Sequence, residues 1–167
     1  MRDRTTLVGE QWVVDTLQRA VEAPPGLHLT AVGLSSVGIA ATGVLVAAGA
    51  LILGLRHDRT GEALVTVAAA GVAYGIAHLL KGTVTRVAPY HDHPSHHAFP
   101  EGPGAFTAAL AVALVPRAPV LAAFAATMTV LDGLSQVALG YHWPSDVLGA
   151  WIIGAACALV GRRLATR

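Results

Sequence analysis

Long apolar runs separated by short polar stretches set the pattern of this chain. Residues 29–55 carry no charge and exceed the roughly 20 apolar residues that a bilayer crossing takes. Residues 64–80 form a second run, entered through the polar stretch 56–62, and residues 104–115 a third, short one. Residues 120–139 carry Asp132 inside a fourth run, and residues 147–160 make a fifth that ends ahead of Arg162 and Arg163. Backbone groups in hydrocarbon must pair internally, so the pattern predicts five transmembrane helices. Residues 7–21 read differently. Val8, Trp12, Val13, Leu17 and Val21 follow helical spacing while Glu10, Asp15 and Arg19 fall elsewhere. That spacing predicts an amphipathic helix lying in the membrane interface, ended by Pro24-Pro25-Gly26. The expected fold class is all-α: one polytopic membrane domain over residues 1–167, with an interfacial helix at 7–21 and a helical bundle over 29–163.

Composition narrows the class. Of 167 residues, 54% are hydrophobic and only 13% charged, a balance that suits a polytopic membrane protein rather than a soluble domain. The apolar residues are mostly Ala, Val, Leu and Gly, and small residues let transmembrane helices approach closely. A net charge of +1 gives no footprint for nucleic acid. The single cysteine, Cys157, lies in an apolar run, excludes an intramolecular disulfide and reads as a small buried residue. Glu10, Asp15, Arg19 and Glu22 interrupt any signal-peptide core near the start. Five crossings gather Arg56, Arg59, Arg117, Arg162, Arg163 and Arg167 on one side, which the positive-inside rule makes cytoplasmic. The loops 82–103 and 140–143 then share the non-cytoplasmic side, and an integral protein of the cell membrane is expected.

Candidate chemistry concentrates in those two loops. In Gly140-Tyr141-His142-Trp143-Pro144-Ser145-Asp146, Pro144 reads as the first helical residue, so His142 and Asp146, four apart, can share one face. A carboxylate beside an imidazole fixes its tautomer and suits it to act as nucleophile or base. An ordinary helix start, with an acid placed to suit the helix dipole, explains the same run equally well. The other loop holds His91, His93, His96 and His97 within seven residues, with Asp92 and Glu101 nearby. Its spacing fits no standard zinc pattern, and a solvated, pH-responsive loop is the alternative. Lys81 and Arg86, ahead of it, suit either an anionic headgroup or phosphate or simple snorkelling at the interface. Asp132, inside a span, calls for a partner: His78, Lys81 or a helix–helix contact.

The order Lys81…Pro89, then Phe99-Pro100-Glu101-Gly102-Pro103, then Ser135-Gln136…His142…Asp146 resembles the type 2 phosphatidic acid phosphatase family, related to the vanadium haloperoxidases. That family's pattern is Lys-x6-Arg-Pro, Pro-Ser-Gly-His and Ser-Arg-x5-His-x3-Asp, and the stretch 139–150 matches the third part closely. The resemblance covers the chain from about residue 29 onward. It implies a helical membrane phosphatase in which Lys81 binds phosphate, His142 attacks phosphorus, Asp146 orients His142, and Gly102 keeps a turn whose N–H groups face an oxyanion. No cofactor and no bound metal are expected.

The chain departs from the pattern at four positions. Ala88 stands where the first Arg belongs, Glu101 replaces Ser, Pro103 replaces the acid His, and Gln136 replaces the second Arg. Arg86, two positions before Ala88, is a partial substitute for phosphate binding. A second register, Pro94-Ser95-His96-His97, keeps Ser and His but loses Gly. At about 1.5–3 kcal/mol per charge-assisted hydrogen bond, two missing arginines remove roughly 3–6 kcal/mol of phosphate binding. A lost general acid removes a further factor of about 10²–10⁴. The expected function is hydrolysis of a lipid phosphate or polyprenyl phosphate through His142, with Glu101, His97, His96 or His91 compensating for the missing acid. Two alternatives stand beside it: a catalytically degraded relative that binds an anionic lipid or membrane partner, and a metal-dependent activity using His91, His93, His97 and Glu101. The sequence leaves the oligomeric state open.

Overall fold

The computed structural model describes residues 7, 9–22, 24–89 and 98–165, and these are helical with short connections. In chain order the elements are α1 (Glu10–Glu22), α2 (Pro25–Gly33), a π-helical turn (Leu34–Gly38), α3 (Ile39–Arg56), α4 (Thr60–Thr83), α5 (Gly102–Leu114), α6 (Pro119–Ala138) and α7 (Pro144–Ala165). Proline opens α2, α5, α6 and α7 within their first two positions, where its missing N–H has no helical partner to lose. Four helices, α3, α4, α6 and α7, are long and apolar enough to cross a membrane, and α5, at 13 residues, is shorter. Their outward faces carry exposed Val44, Ile52, Leu79, Val120 and Ile152, the surface of an integral membrane protein.

The first expected run, 29–55, is divided between α2, the π turn and α3. The short run 104–115 becomes the centre of the molecule. α5 packs against α3, α4, α6 and α7, and Ala105, Ala109 and Leu110 are fully buried. A helix apolar all round is stable only when enclosed, which is how α5 uses its Ala-rich sequence. α7 comes close enough to α5 that a Cβ on Gly154 would sit 2.4 Å from the Ala105 carbonyl oxygen. Where a helix was expected at 7–21, α1 covers Glu10–Glu22 and packs partly on the bundle: Val14 is buried with Ala88, Val137, Trp143 and Val147, while Trp12 stays exposed.

Candidate active site

Two helix ends bring the third sequence segment into place. α6 stops in a Schellman arrangement: Gly140, at φ +70°, donates to Val137 O, and Tyr141 N donates to Gln136 O at 3.0 Å. His142 N also donates to Gln136 O at 3.3 Å, so the chain doubles back over the end of α6. α7 then starts at Pro144, and the Asp146 carboxylate reaches back to accept from Trp143 N at 2.8 Å, half of a capping box. His142 Nδ1 lies 3.9 Å from Asp146 Oδ2. The two side chains share a face as expected, but at that separation they are close neighbours rather than hydrogen-bonded partners.

Arg86 is the hub. Its Nη1 donates to Asp146 Oδ1 and, at 2.6 Å, to Ser145 Oγ; its Nη2 donates to Glu10 Oε2 at 2.6 Å. Its guanidinium lies 5.6 Å from the centroid of the Trp143 ring, whose Nε1 donates to Val87 O. Arg86 Nε is buried without a hydrogen-bond partner among the described residues. Glu10 also accepts from Ser145 N and Leu7 N, which ties α1 to the start of α7. Burial works against its charge, but the Ser145 and Leu7 hydrogen bonds and the Arg86 cation outweigh it and hold the Glu10 carboxyl below its ordinary range. Across the residues that separate the two halves of this loop, Ala98 N donates to Arg86 O at 2.7 Å.

Glu101, the departure at the second segment, is 1% exposed and caps α5: its carboxylate accepts from Gly104 N at 2.5 Å. A Cβ on residue 104 would lie 2.0 Å from Glu101 Oε2, so this cap needs glycine there. Glu101 N donates to Asp146 O at 3.4 Å, which joins the starts of α5 and α7. Both helix N-termini therefore point their positive ends into one region, and each holds a carboxylate of the chain itself, Glu101 at α5 and Glu10 at α7. Burial pushes the Glu101 carboxyl up to about 7, against the opposing pull of the Gly104 hydrogen bond and the Lys81 cation. Lys81 is within electrostatic range of both Glu101 and Asp146, and among the described residues it makes no ion pair within 4 Å. Asp132 finds neither His78 nor Lys81: it accepts from Gln136 on its own helix at 3.3 Å and lies within electrostatic range of Glu101, while His78 stacks on Tyr74. Gln136 also donates to Ser35 O in the π turn.

The structure thus brings Lys81, Arg86, Glu101, Gly102, His142 and Asp146 to one end of the bundle. His91, His93, His96 and His97 lie outside the described residues, and among the described residues no three His, Cys, Asp or Glu side chains gather as metal ligands. Glu10 is the site residue that sequence reasoning missed. Its partner is 76 positions away, and the spacing that set Glu10 off the apolar stripe of α1 gave no sign that it faces the protein.

Comparison with known proteins bears on the same end of the chain. Residues 82–167 match the model of the PAP2 superfamily, a span that takes in Arg86, Glu101, His142 and Asp146. The chain is 36% identical over 161 residues to a decaprenylphosphoryl-5-phosphoribose phosphatase of Mycobacterium tuberculosis (strain CDC 1551 / Oshkosh), covering 91% of this chain and 88% of that protein. A protein of the same name from Mycolicibacterium smegmatis (strain ATCC 700084 / mc(2)155) is 32% identical over 149 residues, covering 84% and 80%. The fold resembles the crystal structure of the first transmembrane PAP2 type phosphatidylglycerolphosphate phosphatase from Bacillus subtilis, with a TM-score of 0.71 and 22% identity over 93% of this chain and 84% of that one. With half the chain inside the family model and a relative of this identity along nearly its whole length, this protein belongs to the PAP2 superfamily.

Proposed function

We propose that this protein is a membrane phosphatase that hydrolyses a phosphate monoester carried on a polyprenyl-type lipid, with His142 as nucleophile. By family it is a phosphoric ester hydrolase. The observation that carries the fuller reading is the meeting of Lys81, Arg86, Glu101, His142 and Asp146 where two helix N-termini converge. Lys81, the unpartnered Nε of Arg86 and the N–H groups around Gly102 bind the phosphate oxygens. Asp146 sits beside Nδ1 of His142, so Nε2 attacks phosphorus. An N–P bond forms, the P–O bond to the lipid alcohol breaks, and the protonated Glu101 carboxyl gives its proton to the leaving oxygen. Water then attacks the phosphohistidine and gives a proton to the Glu101 carboxylate, the N–P bond breaks, and phosphate leaves. A carboxyl pushed up to about 7 can both hold and release a proton near neutral pH.

In this reading α2, the π turn and α3 cross as one span, α5 makes a fifth crossing enclosed by its neighbours, and α1 lies along the interface over the site. The site faces the non-cytoplasmic side of the cell membrane, because Arg56, Arg59, Arg117, Arg162 and Arg163 crowd the opposite end. The test is phosphate release from polyprenyl phosphates and phospholipid phosphates by the purified protein, with and without chelator. His142→Ala should abolish release and chelator should leave it unchanged. A wild-type rate equal to that of His142→Ala would mean a non-catalytic relative. Release lost only with chelator would favour a metal site built on the loop histidines.

A further inference from the structure

The end of the bundle remote from His142 carries a second charged constellation. α5, 13 residues long, rises about 20 Å, against roughly 30 Å of hydrocarbon. Its N-terminus is fixed at Glu101, so its C-terminus stops short of the ends of its longer neighbours α4 and α7, of 24 and 22 residues. The chain turns at Pro116 and restarts at Pro119, and beside this turn a cavity of about 410 Å³ opens between α3, α4 and α5. Leu53 and Leu114 form an apolar wall, and His57, Arg59, Glu62 and Arg117 a polar one. Irregular backbone at such depth is tolerated where it lines a polar cavity.

The polar wall is unbalanced. One carboxylate, Glu62, holds two guanidiniums: Nε of Arg59 at 3.2 Å on one oxygen and Nε of Arg117 on the other. Both arginines are held through Nε, and among the described residues their terminal Nη nitrogens take no partner. The trio carries one positive charge in excess, beside Arg56 and His57. The Arg59 arm is exposed, where an ion pair contributes only about 0–1 kcal/mol to stability, so adding this second arginine to the acid is a weak device for folding. It is a good device for presenting two forks of N–H donors to an anion. We propose that this cavity binds the headgroup of an anionic phospholipid from the leaflet at the arginine-rich end. The phosphodiester, with its single negative charge, meets Arg59 and Arg117, and the first acyl carbons lie against Leu53 and Leu114. This site is independent of the catalytic reading.

Native mass spectrometry of the detergent-purified protein, titrated with phosphatidylglycerol or phosphatidylcholine, tests the proposal. Phosphatidylglycerol should be retained in preference to phosphatidylcholine. Arg59→Gln with Arg117→Gln should weaken its binding about tenfold or more, and Arg163→Gln, at the same end but outside the lining of the cavity, should leave it unchanged. Equal weakening in the double variant and in Arg163→Gln would show a general charge effect and overturn the proposal. Glu62→Gln keeps both arginines and removes the competing carboxylate, so it should bind phosphatidylglycerol several-fold tighter even if the double variant does not fold. Unchanged or weaker binding there would also overturn it. Inorganic phosphate should displace the lipid only at much higher concentration than a second phospholipid, and displacement at equal concentration would mean a soluble anion instead.

Discussion

Replacing Arg86 with Met removes the cation that, among the described residues, α1, the loop before α5 and the start of α7 share. The Arg86 side chain is 7% exposed, that of Glu10 7% and that of Asp146 0%, so the substitution strands two buried carboxylates. Removing one partner of a buried pair costs about 3–5 kcal/mol. Met preserves most of the aliphatic volume, so little of that figure comes from packing. Reversible unfolding of the protein in mixed micelles with increasing SDS reads the change directly. A double-mutant cycle isolates the charge. Glu10→Gln should be destabilising in the wild type but nearly neutral, or stabilising, beside Arg86→Met, because it then discharges a stranded acid. The expected coupling is about 0.5–3 kcal/mol. An Arg86→Met protein within about 1 kcal/mol of wild type, or an additive cycle, would refute the view that Arg86 holds these elements together.

Three further outcomes follow from the same geometry. If protonated Glu101 is the acid, phosphate release should fall as pH rises through about 7, and Glu101→Gln should be slow at every pH with that limb gone. The Glu10 carboxyl is held below its ordinary range, so its contribution to stability is present above the unfolded value of 4.5 and lost as pH falls through the lower folded value. Hydrogen exchange should therefore show α1 losing protection in acid, and a Glu10→Gln protein should lack that dependence. Gly154→Ala should destabilise by about 1–3 kcal/mol in the same micelle titration, because its Cβ meets Ala105 O at 2.4 Å and Ala109 N at 2.9 Å. Gly71→Ala, with nothing within 4 Å, should stay within about 0.5 kcal/mol of wild type.

The helices were legible because burial in lipid and burial in protein both demand apolar residues. The same fact hid the order of importance. Residues 104–115 read as the weakest run, yet they form the enclosed centre, since hydropathy does not separate a lipid-facing Ala from a packed one. At the site, His142, Asp146 and Lys81 were legible from spacing and family likeness. Glu101 read as a lost serine, and as a candidate acid or metal ligand. Its role as a cap was invisible because glutamate is not among the preferred capping residues, and only the fold of Glu101 against Gly104 N reveals it. Asp146 read as a partner for His142, but one oxygen serves Trp143 N and the other Arg86. Long-range pairs such as Glu10 with Arg86 leave no periodicity in the sequence.

The π turn at Leu34–Gly38 makes the geometry of the site sensitive to chain length rather than to side-chain identity. Each residue of a helix advances it by 1.5 Å and rotates it by about 100°. Deleting a single residue from this turn would let the segment regularise into continuous α-helix, and everything ahead of it would swing by that amount relative to α3. α1 would then present a different face to the bundle, and Glu10 would be carried off Arg86. The carbonyl of Ser35, which receives Gln136 from α6, would be reclaimed by its own helix. Point substitutions here are mild by comparison. Relatives that differ by one residue in this stretch should differ in how their amino-terminal helix meets the site, even with every residue of the third segment unchanged.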